Sequence, residues 1–354
     1  MLAVKSWVYS GEILATEVAR TPIFDFAFDA LESDELFDAA VDLICDVIHE
    51  TQENAENMSV IERILPRLVA LRPRIREHLD DSDRMRGYAR IFAEAGETYR
   101  ALLLEHTDTF YPIVEAIAEC TACTDLDVVP ITFPFWYRLA QSLGKRSSMP
   151  PMFTQAYAAL VDIIIRHLHF PTDWSSLTSQ EQDDFRSFRH HMGDTLKDCC
   201  YVLGSDACLQ RAFDLLQVAL SAGAVQWQQV EAPLFSMRSM GAQLDVHDDR
   251  VVPQIIDIVP RLPNHSRIRY SATMVISRYT EWLTHHPAYI PGLMTYVSAG
   301  FDDQDAEVPA ASSQAIFYMC KDCPTVRQAF IFPVGDDDTD MWTAASRLVR
   351  ADTA

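Results

Sequence analysis

Apolar and polar positions along this chain follow a helical beat. In successive windows, apolar or small residues recur three and four apart, which lines one greasy stripe along a helix. Four windows, residues 34–44, 127–140, 266–276 and 306–316, open alike, with polar residues followed by such a stripe. Their starts lie 93, 139 and 40 residues apart, close to two, three and one multiples of a period of roughly forty. Between them the pattern predicts pairs of helices: 22–33 with 34–51, 58–72 with 82–105, 110–124 with 126–143, 151–168 with 180–203, 207–222 with 227–244, 250–262 with 267–285 and 289–300 with 306–322.

Helix pairs at that period predict an all-α fold, a HEAT-repeat α-solenoid: a right-handed superhelix of about seven antiparallel helix pairs. The solenoid is read as a single domain over residues 1–323 that starts inside a repeat, because residues 2–10 look like the end of a helix without a cap. An interrupted stack leaves an apolar end, expected around Trp7, Val8 and Phe24. Ser33-Asp34 reads as an N-cap, Pro73 with Asp80-Asp81-Ser82-Asp83 as a separator, and Gly144 to Pro151 as a loop. Pro66, Pro112, Pro253, Pro260 and Pro291 fall inside or at the ends of first helices. Each interior proline costs about 3 kcal/mol unless a kink is wanted, as it is in many HEAT repeats. Residues 324–354 read as a divergent, partly disordered C-terminal tail, with at most one short helix at 341–350.

Charge narrows the partners. Lys plus Arg number 29 against 51 Asp plus Glu, a formal charge of −22, which repels a phosphate backbone and disfavours direct binding to nucleic acid or an anionic membrane. Basic partners fit instead. The longest strongly apolar stretch, 157–170, contains Asp162 and Arg166 and is too short to cross a bilayer, so a soluble chain is expected. The first residues carry no basic segment and long apolar core of a signal peptide. Eight cysteines sit mostly in apolar helical windows, where free thiols behave as small hydrophobes in a reducing compartment.

Catalytic chemistry finds no constellation. Cys120-x-x-Cys123 and Cys320-x-x-Cys323 lie at helix ends with 197 residues between Cys123 and Cys320 in numbering, and zinc knuckles want their pairs fifteen to twenty residues apart. They are read as core or surface thiols, and no metal or other cofactor is expected. His190-His191 and His285-His286 point about a hundred degrees apart on a helix and cannot share an ion. No nucleophile elbow, zinc-protease or phosphate-loop motif appears, so the chain is read as a non-enzyme. Acidic clusters recur near helix-pair junctions and serve mainly as caps and solvated loops. Asp183, Asp184, Asp248 and Asp249 are the candidates among them for contact with a basic partner.

Specific segments carry a resemblance. Phe133-Pro134-Phe135-Trp136-Tyr137-Arg138-Leu139 is similar to the Phe-x-Phe-Trp-Tyr-x-Leu helix of transportin-SR, an importin-β-like nuclear import receptor of the karyopherin-β superfamily. Asp183-Asp184-Phe185-Arg186-Ser187-Phe188-Arg189, Arg261-Leu262-Pro263 with Arg269-Tyr270-Ser271, and Arg90-Ile91-Phe92-Ala93-Glu94 resemble further segments of that family in order. The resemblance covers only the family's central repeats. It implies a receptor that shuttles between cytoplasm and nucleus and carries Arg/Ser-rich or other basic cargo, typically splicing factors. It further implies Ran GTPase and nucleoporins as partners, with Ran-GTP releasing the cargo. The alternative is a generic HEAT-repeat scaffold subunit without a transport role.

Overall fold

The computed structural model describes residues 2–146 and 149–331, and every regular element among them is a helix. The chain divides into two compact units, Met1–Ile163 and Ile164–Ala354.

In the first unit, helix Phe37–His49 packs on Ser82–Thr98, which packs in turn on Thr107–Thr121 and Phe133–Leu143, while Asn54–Glu77 lies along Thr107–Thr121. Each helix buries one stripe: Ala40, Val41, Ile44, Val47 and Ile48 in the first, and Tyr88, Ile91, Phe92 and Ala95 in the next. Burying a Leu-, Ile- or Phe-sized side chain stabilises by about 1.5–3 kcal/mol, so this stripe holds the stack together. Close approach needs glycine in two places. A Cβ on Gly87 would meet the Phe37 ring at 2.5 Å, and one on Gly96 would meet Phe135 at 2.6 Å and Ile117 at 2.7 Å.

In the second unit, four helices follow one another as neighbours: Ser179–Leu203, Trp227–Met240, Ser266–Arg278 and Glu307–Asp322. Ser205–Ser221 packs outside the first two, and Ile290–Ala299 against the last. Thr178 caps the first: its hydroxyl accepts from the Glu181 amide at 3.3 Å, and the Glu181 carboxylate accepts from the Thr178 amide at 2.8 Å. That reciprocal box satisfies two orphan donors of the first turn. Gly204, at φ +88, ends the helix in a conformation that L side chains rarely adopt.

The helical-repeat class follows the pattern, and the departures have local causes. Asn54–Glu77 runs unbroken through Pro66 and Pro73, so Pro73 is no separator. Both prolines lie on the exposed face, as do Glu62 and Val69 four residues before them, and water can bond the carbonyls they release. Neither Ser33 nor Asp34 is the cap; Leu36 precedes the helix and Asp34 pairs with Arg84 at 2.5 Å. The expected helices 82–105 and 267–285 each break at a buried tyrosine, Tyr99 and Tyr279, with φ near −100 and ψ 16. Each ring hydroxyl is tied to the preceding repeat: Tyr99 to Thr51 Oγ1 at 2.9 Å, and Tyr279 to the Met237 carbonyl at 3.2 Å. Pro324–Ile331, placed in the tail by its sequence, is helical and packs on Glu307–Asp322; the helix expected at 341–350 lies outside the described residues. Of the expected sticky end, Val8 and Phe24 are buried and Trp7 is 45% exposed.

Candidate interaction surface

The family-like motifs build the core. Phe135 and Trp136 are fully buried. The indole Nε1 donates to Thr121 Oγ1 at 3.0 Å, and the Tyr157 hydroxyl donates to the Trp136 carbonyl at 2.6 Å. Tyr137, next in the motif, is 52% exposed, and Arg138 pairs with Glu97. In the second unit, Arg189 donates to Glu231 Oε2 at 2.6 Å and Ser271 Oγ donates to Glu231 Oε1 at 2.8 Å. These three buried groups stand 42 and 40 residues apart and bolt three consecutive helices together. The guanidinium is also sandwiched between Phe170 and Phe235, 4.2 and 4.1 Å from their ring centres, where desolvation strengthens the cation–π attraction. Links at 40–42 residues are HEAT-length; a tetratricopeptide period would be about 34.

The acidic candidates are placed unequally. Asp183 and Asp184 are exposed in the first turns of Ser179–Leu203, where Asp183 accepts from Arg186 at 2.9 Å and Asp184 from Gln180 at 2.8 Å. Asp249 is exposed, whereas Asp248 folds back. Its Oδ1 accepts from the amides of Arg250, Val251 and Val252 at 2.8–3.1 Å, which caps Val252–Ile258, and its carbonyl accepts from Trp282. Among the described residues, no hydrogen bond or ion pair joins Asp183 or Asp184 to Asp248 or Asp249.

Sequence reasoning missed a basic groove. A cavity of about 280 Å³ opens across the four neighbouring helices of the second unit and is lined by Lys197, Phe235, Arg238, Arg278, Gln314 and Tyr318 among others. Asp194 pairs with Lys197 at 2.7 Å. Arg238 and Arg278 have no carboxylate in ion-pair range among the described residues. The nearby His190 imidazole is pushed down from its ordinary value by burial and by the charges of Arg238 and Arg189. The signal was present in the spacing, since Lys197, Arg238, Arg278 and Tyr318 are 41, 40 and 40 residues apart, one position per repeat.

The thiols belong to the packing. Cys120, Cys123 and Cys323 are buried, and burial pushes the Cys120 and Cys323 thiols above their ordinary value. Cys323 sits 3.6 Å from the Thr280 carbonyl. Among the described residues no group of three or more His, Cys, Asp or Glu could hold a metal ion, and no helix is long and apolar enough to cross a membrane.

Stacked helix pairs linked at forty-residue intervals define a helical-repeat solenoid of HEAT-like period. Residues 80–167 match the family model described as the Transportin-3/Importin-13 second TPR domain, and residues 249–330 match that of the third. The chain is 36% identical over 338 residues to an uncharacterised protein of Schizosaccharomyces pombe, a match covering 90% of this chain and 35% of that one. It is 32% identical over 350 residues to the mRNA transport regulator MTR10 of Saccharomyces cerevisiae, covering 93% of this chain and 36% of that protein. A solved structure of importin-13 in a cytosolic state shares the fold, with a TM-score of 0.75 at 18% identity, over 88% of this chain and 40% of that chain. The chain is thus similar to the second and third Transportin-3/Importin-13 domains, and it spans about a third of the length of these curated relatives.

Proposed function

We propose that this chain is the central segment of a nuclear import receptor, one that binds basic or Arg/Ser-rich protein cargo, gives it up to Ran-GTP and shuttles between cytoplasm and nucleus. The observation that carries the reading is the ordered match to the second and third Transportin-3/Importin-13 domains. The names of the relatives, an mRNA transport regulator and an importin, point the same way. Charge supports it too: at −22 the chain attracts a cationic segment over a Debye length of about 8 Å at physiological salt. Asp183, Asp184 and Asp249 offer exposed carboxylates for that contact. Asp248 was singled out with them, and its capping role leaves it the least available of the four.

The reading is tested by titrating the chain with a fluorescent Arg/Ser-repeat protein at two ionic strengths. Binding should weaken steeply with salt and weaken again in the triple variant Asp183→Asn, Asp184→Asn, Asp249→Asn. Absence of binding at low ionic strength would remove the cargo assignment. Binding that the triple variant leaves unchanged would move it away from these carboxylates.

A further inference from the structure

The basic groove of the second unit is at odds with the rest of this acidic chain. Lys197, Arg238 and Arg278 occupy one register on three consecutive helices, and Tyr318 continues that register on the fourth. Two of the three cations, Arg238 and Arg278, are without an ionic partner among the described residues, while Lys197 pairs with Asp194 and also feels the charge of Asp198.

The groove is also shaped to hold its arginines. A Cβ on Gly241 would come within 2.6 Å of Arg278 Cγ, so the missing side chain is the seat on which the Arg278 stem lies. The Arg238 guanidinium stands 5.9 Å from the centre of the Phe235 ring, which holds it above an apolar wall. On the floor between the first two helices, Gly193 lets them approach: a Cβ there would meet Ser239 Oγ at 2.7 Å.

We propose that this groove binds an extended acidic peptide, one carboxylate to each basic rung. Packed helices stand about 8–10 Å apart, so the rungs repeat at that interval. An extended polyproline-II segment advances about 3.1 Å per residue with three residues per turn, so every third side chain faces one way about 9.3 Å further on. A peptide with Asp or Glu at every third position therefore meets Lys197, Arg238 and Arg278 in step. Each arginine can take its carboxylate through two parallel N–H···O bonds, and Tyr318 and Gln314 can donate to the peptide backbone beyond. One cation per rung suits a singly charged carboxylate better than a doubly charged phosphate. The chain's overall charge does not abolish this, because exposed charges further away than about 8–10 Å are screened. The inference stands on the groove alone and does not depend on the receptor reading, whose partner is of the opposite charge.

The test is fluorescence anisotropy on the full chain at low and physiological salt. The probe is a labelled twelve-residue peptide with Glu at every third position and Pro or Ala between. A peptide of identical composition with its Glu residues clustered at one end is the control. The spaced peptide should bind more tightly than the clustered one. Arg238→Gln and Arg278→Gln should each weaken it by about tenfold, as expected for loss of a charge-assisted hydrogen bond, with unchanged thermal unfolding. The double variant Arg238→Glu, Arg278→Glu should reverse the preference and take a peptide with Arg at every third position. Equal binding by parent and Gln variants, or no difference between spaced and clustered peptides, would overturn the proposal. So would binding only of a phosphoserine version, which would assign the groove to phosphate. Self-association of the chain that the Gln variants abolish, with no peptide bound, would assign it to a second copy and overturn it equally.

Discussion

Replacing Arg189 by Met removes one end of the buried Arg189–Glu231–Ser271 chain while keeping a long apolar stem between Phe170 and Phe235. The Glu231 carboxylate, on a residue only 2% exposed, then has no cation to balance it. Removing one partner of a buried pair costs about 3–5 kcal/mol. Loss of the guanidinium's two ring contacts pushes the figure towards the upper end. For a unit of 150–250 residues, about 2–4 °C of melting temperature goes with each kcal/mol, so the transition of the second unit should fall by about 6–20 °C in scanning calorimetry. Adding Glu231→Met to Arg189→Met removes the stranded charge and should recover most of the loss, because apolar replacement of a whole buried pair is often neutral. Arg189→Lys keeps the charge but loses the flat stack and the fork, and should fall between. A single variant within about 1 kcal/mol of the parent, or a double variant no better than the single, would refute the assignment of this pair as the bolt between three repeats.

Three further outcomes follow from local geometry. Gly96→Ala places a methyl against Phe135 and Ile117 and should destabilise the first unit by about 1–2 kcal/mol in urea unfolding, overpacking outweighing the gain in helix propensity. Thr178→Ala deletes the capping box of Ser179–Leu203 and should cost about 1 kcal/mol, visible as faster amide exchange in its first turn. Burial, and then the charge of Asp194, push the Asp198 carboxyl up to about 6, so the folded form favours the protonated acid. That contribution is full below about pH 3.9 and is lost as pH rises through 6. Asp198→Asn should flatten the stability profile across this window and raise stability at pH 7 by about 1 kcal/mol, solvent screening of the half-buried group keeping the gain small. A profile with the same slope in both proteins would rule that out.

The helix pairs were legible because amphipathic helices must bury a stripe, and the stripe survives in the letters. What misled was chemistry whose effect depends on which face it lands on. Pro66 and Pro73 look like breaks, yet on an exposed face they leave the helix intact. Tyr99 and Tyr279 look like helix residues, yet each ends a helix with its hydroxyl tied to the preceding repeat. Arg189 and Glu231 are charged residues that enter the core as a pair, which no local sequence signal marks. The aromatic run at Phe133 to Tyr137 resolves into buried Phe135 and Trp136 beside a half-exposed Tyr137. Net charge concealed the basic rungs entirely. A chain of −22 directed attention to aspartates, although Lys197, Arg238 and Arg278 repeat at the same forty-residue spacing that revealed the fold.

The receptor reading is tested most directly by one titration: the chain bound to a fluorescent Arg/Ser-repeat protein, with Ran added in its GTP-loaded and then its GDP-loaded form. The account predicts that Ran-GTP releases the cargo and Ran-GDP does not. Cargo binding that is indifferent to the nucleotide on Ran would contradict it.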